Sequence, residues 1–418
     1  MKIKTIKLPG LILIILIMAT FANAKIMTVT GTTFNLTAKD GYIQTPDGGS
    51  YYMFGYALNG GTMQYPGPTI EVNQGDMVTI NLTNQLDVAT SISFPGQLNV
   101  NSTGDQNGSI TAEALANGGT AQYTFVADKP GTYLYNSGTN PELQIEMGLI
   151  GALIIRPANV PQGENWAYDH ADTSYDYEFL FLLSEMDPDI HELAQLGKWD
   201  DIDLAGYWPV LWFINGRCAP DTMLPNNSPL LPNQPYNCMP RLHPGDRILL
   251  RFIGGGRDLH PFHTHGNNFT QISRDGRLLS SKQGRGPDLG VSDFTLTSVP
   301  GQTADAIFTW TGEKLGWDMY GHSPEDPMEP GEYAPDHGKP FPIVMPDVKE
   351  IALGASYSGS PFLGAMGSLP PGEGGFNVNG GYFYMWHSHN EKEMVNYDIF
   401  PGGMMTMLIV EPHGVMIQ

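Results

Sequence analysis

A repeated pattern of short alternating strands constrains this chain more than any other feature. Ile70 and Val72, then Val78, Ile80 and Leu82, take every second position on either side of Gly75-Asp76. Side chains alternate across a strand, so these five are expected to share one face, with the Gly-Asp pair turning the chain. A second pair, Gly245-Asp246, opens a similar strand over 247–252. The spacings downstream agree: Asp76 to Ser93 and Asp246 to His263 are both 17 positions, Pro95 and His265 both stand at 19, and Gly96 and Gly266 both at 20. Further on, 131–138 echoes 381–389, and each echo continues into a strand that ends on a proline, Pro157 or Pro412. This self-similarity marks an internal repeat of one β domain.

The repeat predicts an all-β chain of two β-sandwich domains, one at 25–157 and one at 175–418, the second enlarged by insertions at about 186–240 and 311–380. With 50 Gly, 33 Pro and only 15% charged residues, long helices and a coiled coil are not expected. The second insertion, rich in Gly, Pro, Glu and Met, reads as a surface excursion without a recognisable motif. Forty-three acids against 21 Lys and Arg leave a net charge of -22, which repels phosphate backbones and excludes nucleic acid as a natural partner.

Residues 1–24 read as an export signal: Lys2, Lys4 and Lys7 precede an apolar run from Leu11 to Phe21, closed by Ala22-Asn23-Ala24. Cleavage there predicts a protein that works in the periplasm or outside the cell, with no later stretch apolar enough to span a membrane. In such a compartment Cys218 and Cys238, at the ends of a Pro/Asn-rich loop, are expected to form a disulfide.

Five of the 11 histidines fall in two blocks, 260–266 and 386–389. On strands, His263 faces the same side as His265, and His387 the same side as His389; if the strands are neighbours, four imidazoles converge. Imidazole suits copper, zinc, nickel and iron, whereas calcium and magnesium prefer oxygen. His260, three residues before His263, is expected on the opposite face with Ser388, toward the sandwich interior. Four hydrogen-bonded histidines without a metal are the alternative reading of the same pattern. His243, before Pro244, reads as a structural turn residue.

The blocks resemble the multicopper oxidases, whose repeated cupredoxin domains carry the signatures His-Pro-X-His-X-His-Gly and His-Cys-His-X-X-X-His. The resemblance covers about 50–157 and 240–412 and is most specific in the second part. It implies two cupredoxin-like Greek-key sandwiches, a blue-copper role for the position of His260, and trinuclear-cluster roles for the positions of His263, His265, His387 and His389. It also implies that two-domain members assemble as trimers with the cluster between subunits.

This chain departs from the pattern where it matters most. Ser388 stands in place of the cysteine thiolate, and Glu393 in place of the second blue-copper histidine. In the first domain the cluster positions hold Ser93, Pro95, Asn136 and Gly138. A hydroxyl is a far poorer copper ligand than a thiolate. The expectation is therefore a reduced copper site of one ion, or two with carboxylate help, held by His263, His265, His387 and His389. Glu391, Glu393, His260 and Met404 are weaker candidates, and no type 1 copper is expected. Laccase-like four-electron chemistry is not expected either. The rival readings are a metal-free partner-binding protein of the cell envelope and an oxidase fed electrons by an external donor.

Overall fold

A computed structural model of the chain describes residues 26–314, 316–318, 320–340, 382–411 and 413–417. The export signal expected at 1–24, and the part of the second insertion from 341 to 380, lie outside them. Among the described residues no helix is long and apolar enough to cross a membrane.

The described residues are built on β structure, as expected, in four main sheets. Two come from the first 160 residues. One runs in the spatial order Val29–Thr30, Gly67–Asn73, Ile150–Arg156, Gly131–Asn136; the other runs Ser50–Leu58, Thr33–Gln44, Met77–Asn84, Thr120–Val126, Asn101–Gly104. The remainder of the chain repeats the plan. Tyr177–Met186, Arg247–Gly254 and Thr303–Thr309 pair as Thr33–Gln44, Met77–Asn84 and Thr120–Val126 do, parallel and then antiparallel. Arg241–Leu242, Met405–Val410 and Tyr382–Ser388 repeat the arrangement of Gly67–Asn73, Ile150–Arg156 and Gly131–Asn136. The counted spacing reappears as register: Ser93 bridges Asn136 in the first half, and His263 pairs with His387 in the second.

Alternation places the core. In Thr120–Val126, Ala121, Tyr123 and Phe125 are buried between exposed or half-buried neighbours. Ile70, Val72, Val78, Ile80 and Leu82 all enter one core, but from two facing sheets, so they share an interior and not the single face expected of them. The Gly75-Asp76 turn carries the chain from one sheet to the other, with Gly75 at φ +93° where a side chain would be strained.

The strands that do not alternate lie between the two halves. Tyr177–Met186 is apolar on both faces because Phe181 and Leu183 point into the second core, while Leu180 and Leu182 join Met53, Tyr65, Leu134, Ile150 and Ala152 from the first half. A buried ionic network crosses the same junction. Arg156 donates two hydrogen bonds to Glu178, at 2.7 and 2.5 Å, and one to Glu71 at 2.8 Å. Arg251, 1% exposed, donates to Glu178 at 2.9 Å and to Thr132 Oγ1 at 2.8 Å. Asp305 accepts from Thr132, Tyr168 and Ser273. Arg156, Glu71 and Thr132 belong to the first half, and Glu178, Arg251 and Asp305 to the second.

The expected disulfide is not formed: Cys218 and Cys238 are both free and buried. They belong to different cores, Cys218 to the junction cluster and Cys238 to the second sandwich. Cys238 donates its thiol proton to the Ile214 carbonyl at 3.0 Å. Burial pushes its pKa up to about 12 and that of Cys218 further still, so both stay protonated. The loop is held instead by Arg217, fully buried, whose guanidinium donates to the carbonyls of Leu224, Pro225 and Gln234.

Two measurements test this account. Unfolded protein should titrate two thiols, with a Tm unchanged by reductant, and Arg217→Met should cost about 3 kcal/mol by stranding buried carbonyls. The Glu178 carboxyl is buried, which alone would raise its pKa, but Arg156 and Arg251 hold it down at about 2 against an ordinary 4.5. Its contribution is therefore complete above about pH 4.5 and lost as pH falls toward 2. Glu178→Gln should destabilise by about 3–5 kcal/mol at neutral pH, and denaturant titrations of the variant should show a flatter acid limb.

Candidate metal centre

The strand His260–His263 pairs antiparallel with Tyr382–Ser388, with Phe262 opposite Ser388 and His263 opposite His387. The pairing is extended where the His389 N–H donates to the Pro261 carbonyl at 2.8 Å. Alternation then separates two faces. His260, Phe262, Trp386 and Ser388 turn into the sandwich and are fully buried. His263, His265, His387 and His389 share the other face.

Their rings gather closely. Centroids of His263 lie 4.9 Å from His265, 5.5 Å from His387 and 4.8 Å from His389; His265 and His387 are 5.2 Å apart. The Nε2 atoms of His265 and His387 stand 3.2 Å apart, the spacing of two ligands on one ion. Among the described residues no third donor of the quartet comes within 4.8 Å of both, so the array is open. His263 Nδ1 is engaged by Thr295 Oγ1 at 2.7 Å and His387 Nδ1 by the Ser388 carbonyl at 2.7 Å, which leaves Nε2 of each ring to face a ligand. The Trp386 indole donates to the His265 carbonyl at 2.9 Å and fixes the backbone there.

Burial and the neighbouring rings lower the pKa of His263 to about 4 and that of His265 to about 3, and burial lowers His387 as well. These imidazoles are therefore neutral at physiological pH, the form that offers a lone pair to a metal. The buried Nδ1 of His265 has no hydrogen-bond partner. His389 is more than half exposed and opens the array to solvent, beside the exposed Phe294 whose ring packs edge-on to His263 at 5.4 Å. Three neutral imidazoles, one with an orphaned buried nitrogen, and a fourth ring beside them fit a copper ion better than any cation that prefers oxygen.

The weaker candidates stand elsewhere. Glu391 is exposed, 3.9 Å from His389 Nδ1. Met404 is buried in the second core with Trp386, away from the histidine face. Glu393 turns inward to His260, so it is not an oxygen donor to the quartet.

That inner contact is an arrangement of its own. His260 Nδ1 lies 2.9 Å from Glu393 Oε2 and its Nε2 lies 2.8 Å from Glu185 Oε2, with all three side chains buried. Burial opposes a charge there, but the two carboxylates outweigh it and raise the ring to about 9. Both ring nitrogens are hydrogen-bonded, so His260 has no lone pair to offer. Glu185 also accepts the backbone N–H of Asp258 at 2.8 Å and the Tyr207 hydroxyl at 3.2 Å. A Cβ on Gly256 would lie 1.8 Å from its Oε2, so the carboxylate can sit there only because residue 256 is glycine. Glu185 escaped the sequence reading, although an acid near the end of the apolar run 179–186 is a signal that a buried partner exists.

In the first half, the equivalent positions close on themselves. Ser93 donates to Asn136 Oδ1 at 2.5 Å across the bridge that matches His263–His387.

Comparison with known proteins places the chain. The sequence profile described as multicopper oxidase matches residues 54–160. L-ascorbate oxidase of Cucumis sativus is 37% identical over 124 residues, 29% of this chain and 19% of that protein. An iron transport multicopper oxidase of Epichloe festucae is 35% identical over 131 residues, 31% of this chain and 20% of that one. The match thus spans about a fifth of the length of these curated relatives. Among solved structures, the blue copper oxidase of Nitrosomonas europaea superposes with a TM-score of 0.58 at 20% identity, covering 91% of this chain and 86% of that one. Fet3p, described as a multicopper oxidase that functions in iron import, superposes at 0.52 with 17% identity, covering 93% and 54%. These two likenesses establish the cupredoxin fold, and the matched sequence lies in the half that holds Ser93 and Asn136. Within residues 54–160, the chain is similar in sequence to the multicopper oxidase family.

Proposed function

We propose that this is an exported copper-binding protein of the multicopper oxidase family, with one reduced His-rich site and no blue copper centre. The observation that carries the reading is the contrast between the two faces of one strand pair. The outer face presents four imidazoles, three of them held neutral by burial. On the inner face His260 is clamped by Glu185 and Glu393, and Ser388 accepts the Asn390 N–H at 3.2 Å.

His263, His265, His387 and His389 would hold the ion, which supplies one-electron chemistry when bound. Thr295 and the Ser388 carbonyl orient two of the rings, and the apolar face of Phe294 shields one side of the site from water. With no thiolate beside His260, electrons would enter from a donor outside the chain, which favours an oxidoreductase that acts with a partner over a free-standing laccase. The open site and the exposed Phe294 beside it support burial of this face in a homotrimer. Export rests on the lysines and apolar run of the first 24 residues.

Protein isolated from its native compartment should carry about one copper per chain and give an ordinary type 2 paramagnetic resonance signal without intense blue absorption. His263→Ala with His389→Ala should remove the copper; retention of a full equivalent would sink the proposal. Glu393→Gln separates the two faces. It should cost about 3 kcal/mol or more in denaturant unfolding, because the partner charge stays buried, yet leave copper content unchanged. Loss of copper in that variant would instead place the metal at His260.

A further inference from the structure

The second insertion contains a separate group of metal-ligating side chains. Asp318, His322, Glu332 and His337 each offer a donor atom, and the four donors lie within 4.8 Å of one another. We propose that these residues form a structural site for a divalent zinc-class cation that clamps the insertion to the second sandwich.

The geometry is that of ligands around a single centre. His322 Nδ1 lies 3.3 Å from Asp318 Oδ2 and 3.5 Å from Glu332 Oε2, and His337 Nδ1 lies 3.5 Å from Asp318 Oδ2. Tetrahedral ligands at the usual zinc distances are separated by about 3.3 Å. His337 Nδ1 and Glu332 Oε1, at 2.7 Å, would need to part by about 0.6 Å. The donors are held from behind. Asp318 accepts the N–H groups of Tyr320 and Gly338, each at 2.8 Å, and Glu332 that of Glu329 at 2.8 Å. A Cβ on Gly338 would meet Pro324 at 2.5 Å, so the loop closes this tightly only with glycine there.

Two further observations point to a cation. The Asp318 and Glu332 side chains are 0% and 3% exposed, so two carboxylates converge away from water beside the His322 and His337 rings. His322 Nδ1 is buried, aimed at both, and has no hydrogen-bond partner. The other nitrogen of His337 lies 3.0 Å from the Asp326 carbonyl, to which it can donate its proton. That tautomer turns the Nδ1 lone pair toward Glu332, an arrangement that requires either a second proton or a shared metal ion.

Two imidazoles and two carboxylates fill four positions and leave none for substrate, which marks a structural and not a catalytic site. Its anchor is a stack of rings: His322 on Tyr320 at 5.4 Å, Tyr320 on His413 at 5.8 Å, and His413 on His243 at 5.3 Å. His243 is itself fixed in the turn before the Gly245-Asp246 strand, where its backbone N–H donates to Asp246 at 2.7 Å.

The test uses the full-length protein stripped by chelator and titrated calorimetrically with zinc alone, in the wild type and in the His263→Ala, His389→Ala background. Both should bind about one zinc at this site, with a higher Tm when loaded. His322→Ala should weaken that binding at least about 100-fold and abolish the metal-dependent Tm rise, with copper content unchanged. Cobalt in place of zinc should give the strong visible bands of a tetrahedral ion, and lose them in Asp318→Asn. If the double-alanine background binds no zinc, or if His322→Ala and Asp318→Asn both bind it as the wild type does, the site is a protonated ion-pair cluster and the proposal fails. Copper retained in the double-alanine background, with zinc bound, would count against the four-histidine reading alone.

Discussion

The antiparallel pairing of 260–263 with 382–388 is the contact on which the chemistry of this chain depends. Because successive side chains point to opposite faces, the one register that sets His263 against His387 also sets Phe262 against Ser388. A slip of one residue would bury the outer imidazoles and expose the core aromatics. The pairing is held from both sides: Trp386 and Phe262 pack in the interior, and the His389 and Trp386 donors tie the loop ends to Pro261 and His265.

On the inner face, two buried carboxylates embrace one imidazole. A buried ring with both nitrogens bonded to carboxylates is a cation, and it offsets the charge of Glu185 and Glu393 as a metal would. Ser388 fits this environment as a small hydroxyl that accepts a backbone N–H. The arrangement is coherent across three residues distant in sequence, 185, 260 and 393, which form a buried ion triad. A comparable substitution occurs in the first half, where Ser93 and Asn136 satisfy each other.

The two sandwiches are joined by apolar strands that serve two cores at once and by the Arg156–Glu178–Arg251 network. Glu178 lies between two guanidinium groups, and its 1% exposure means that removing any one member strands a charge. The same economy appears around 218–238, where Arg217 binds loop carbonyls in the role expected of a disulfide. Cysteine spacing and compartment argued for the crosslink, but the two thiols enter different cores.

Period-two patterning, the equal spacing after the two Gly-Asp turns and the two His-X-His blocks were enough, read along the chain, to specify the β class, the repeat and the four imidazoles on one face. All of these depend on local alternation, which linear order carries directly. Folding alone decided which partners meet across long separations. It brought Glu185 and Glu393 to the two nitrogens of His260, put Cys218 and Cys238 in separate interiors, divided one apolar set between facing sheets, and gathered Asp318, His322, Glu332 and His337 from a stretch without a motif. Such contacts arise from the packing of whole sheets and loops, and residue spacing holds no record of them.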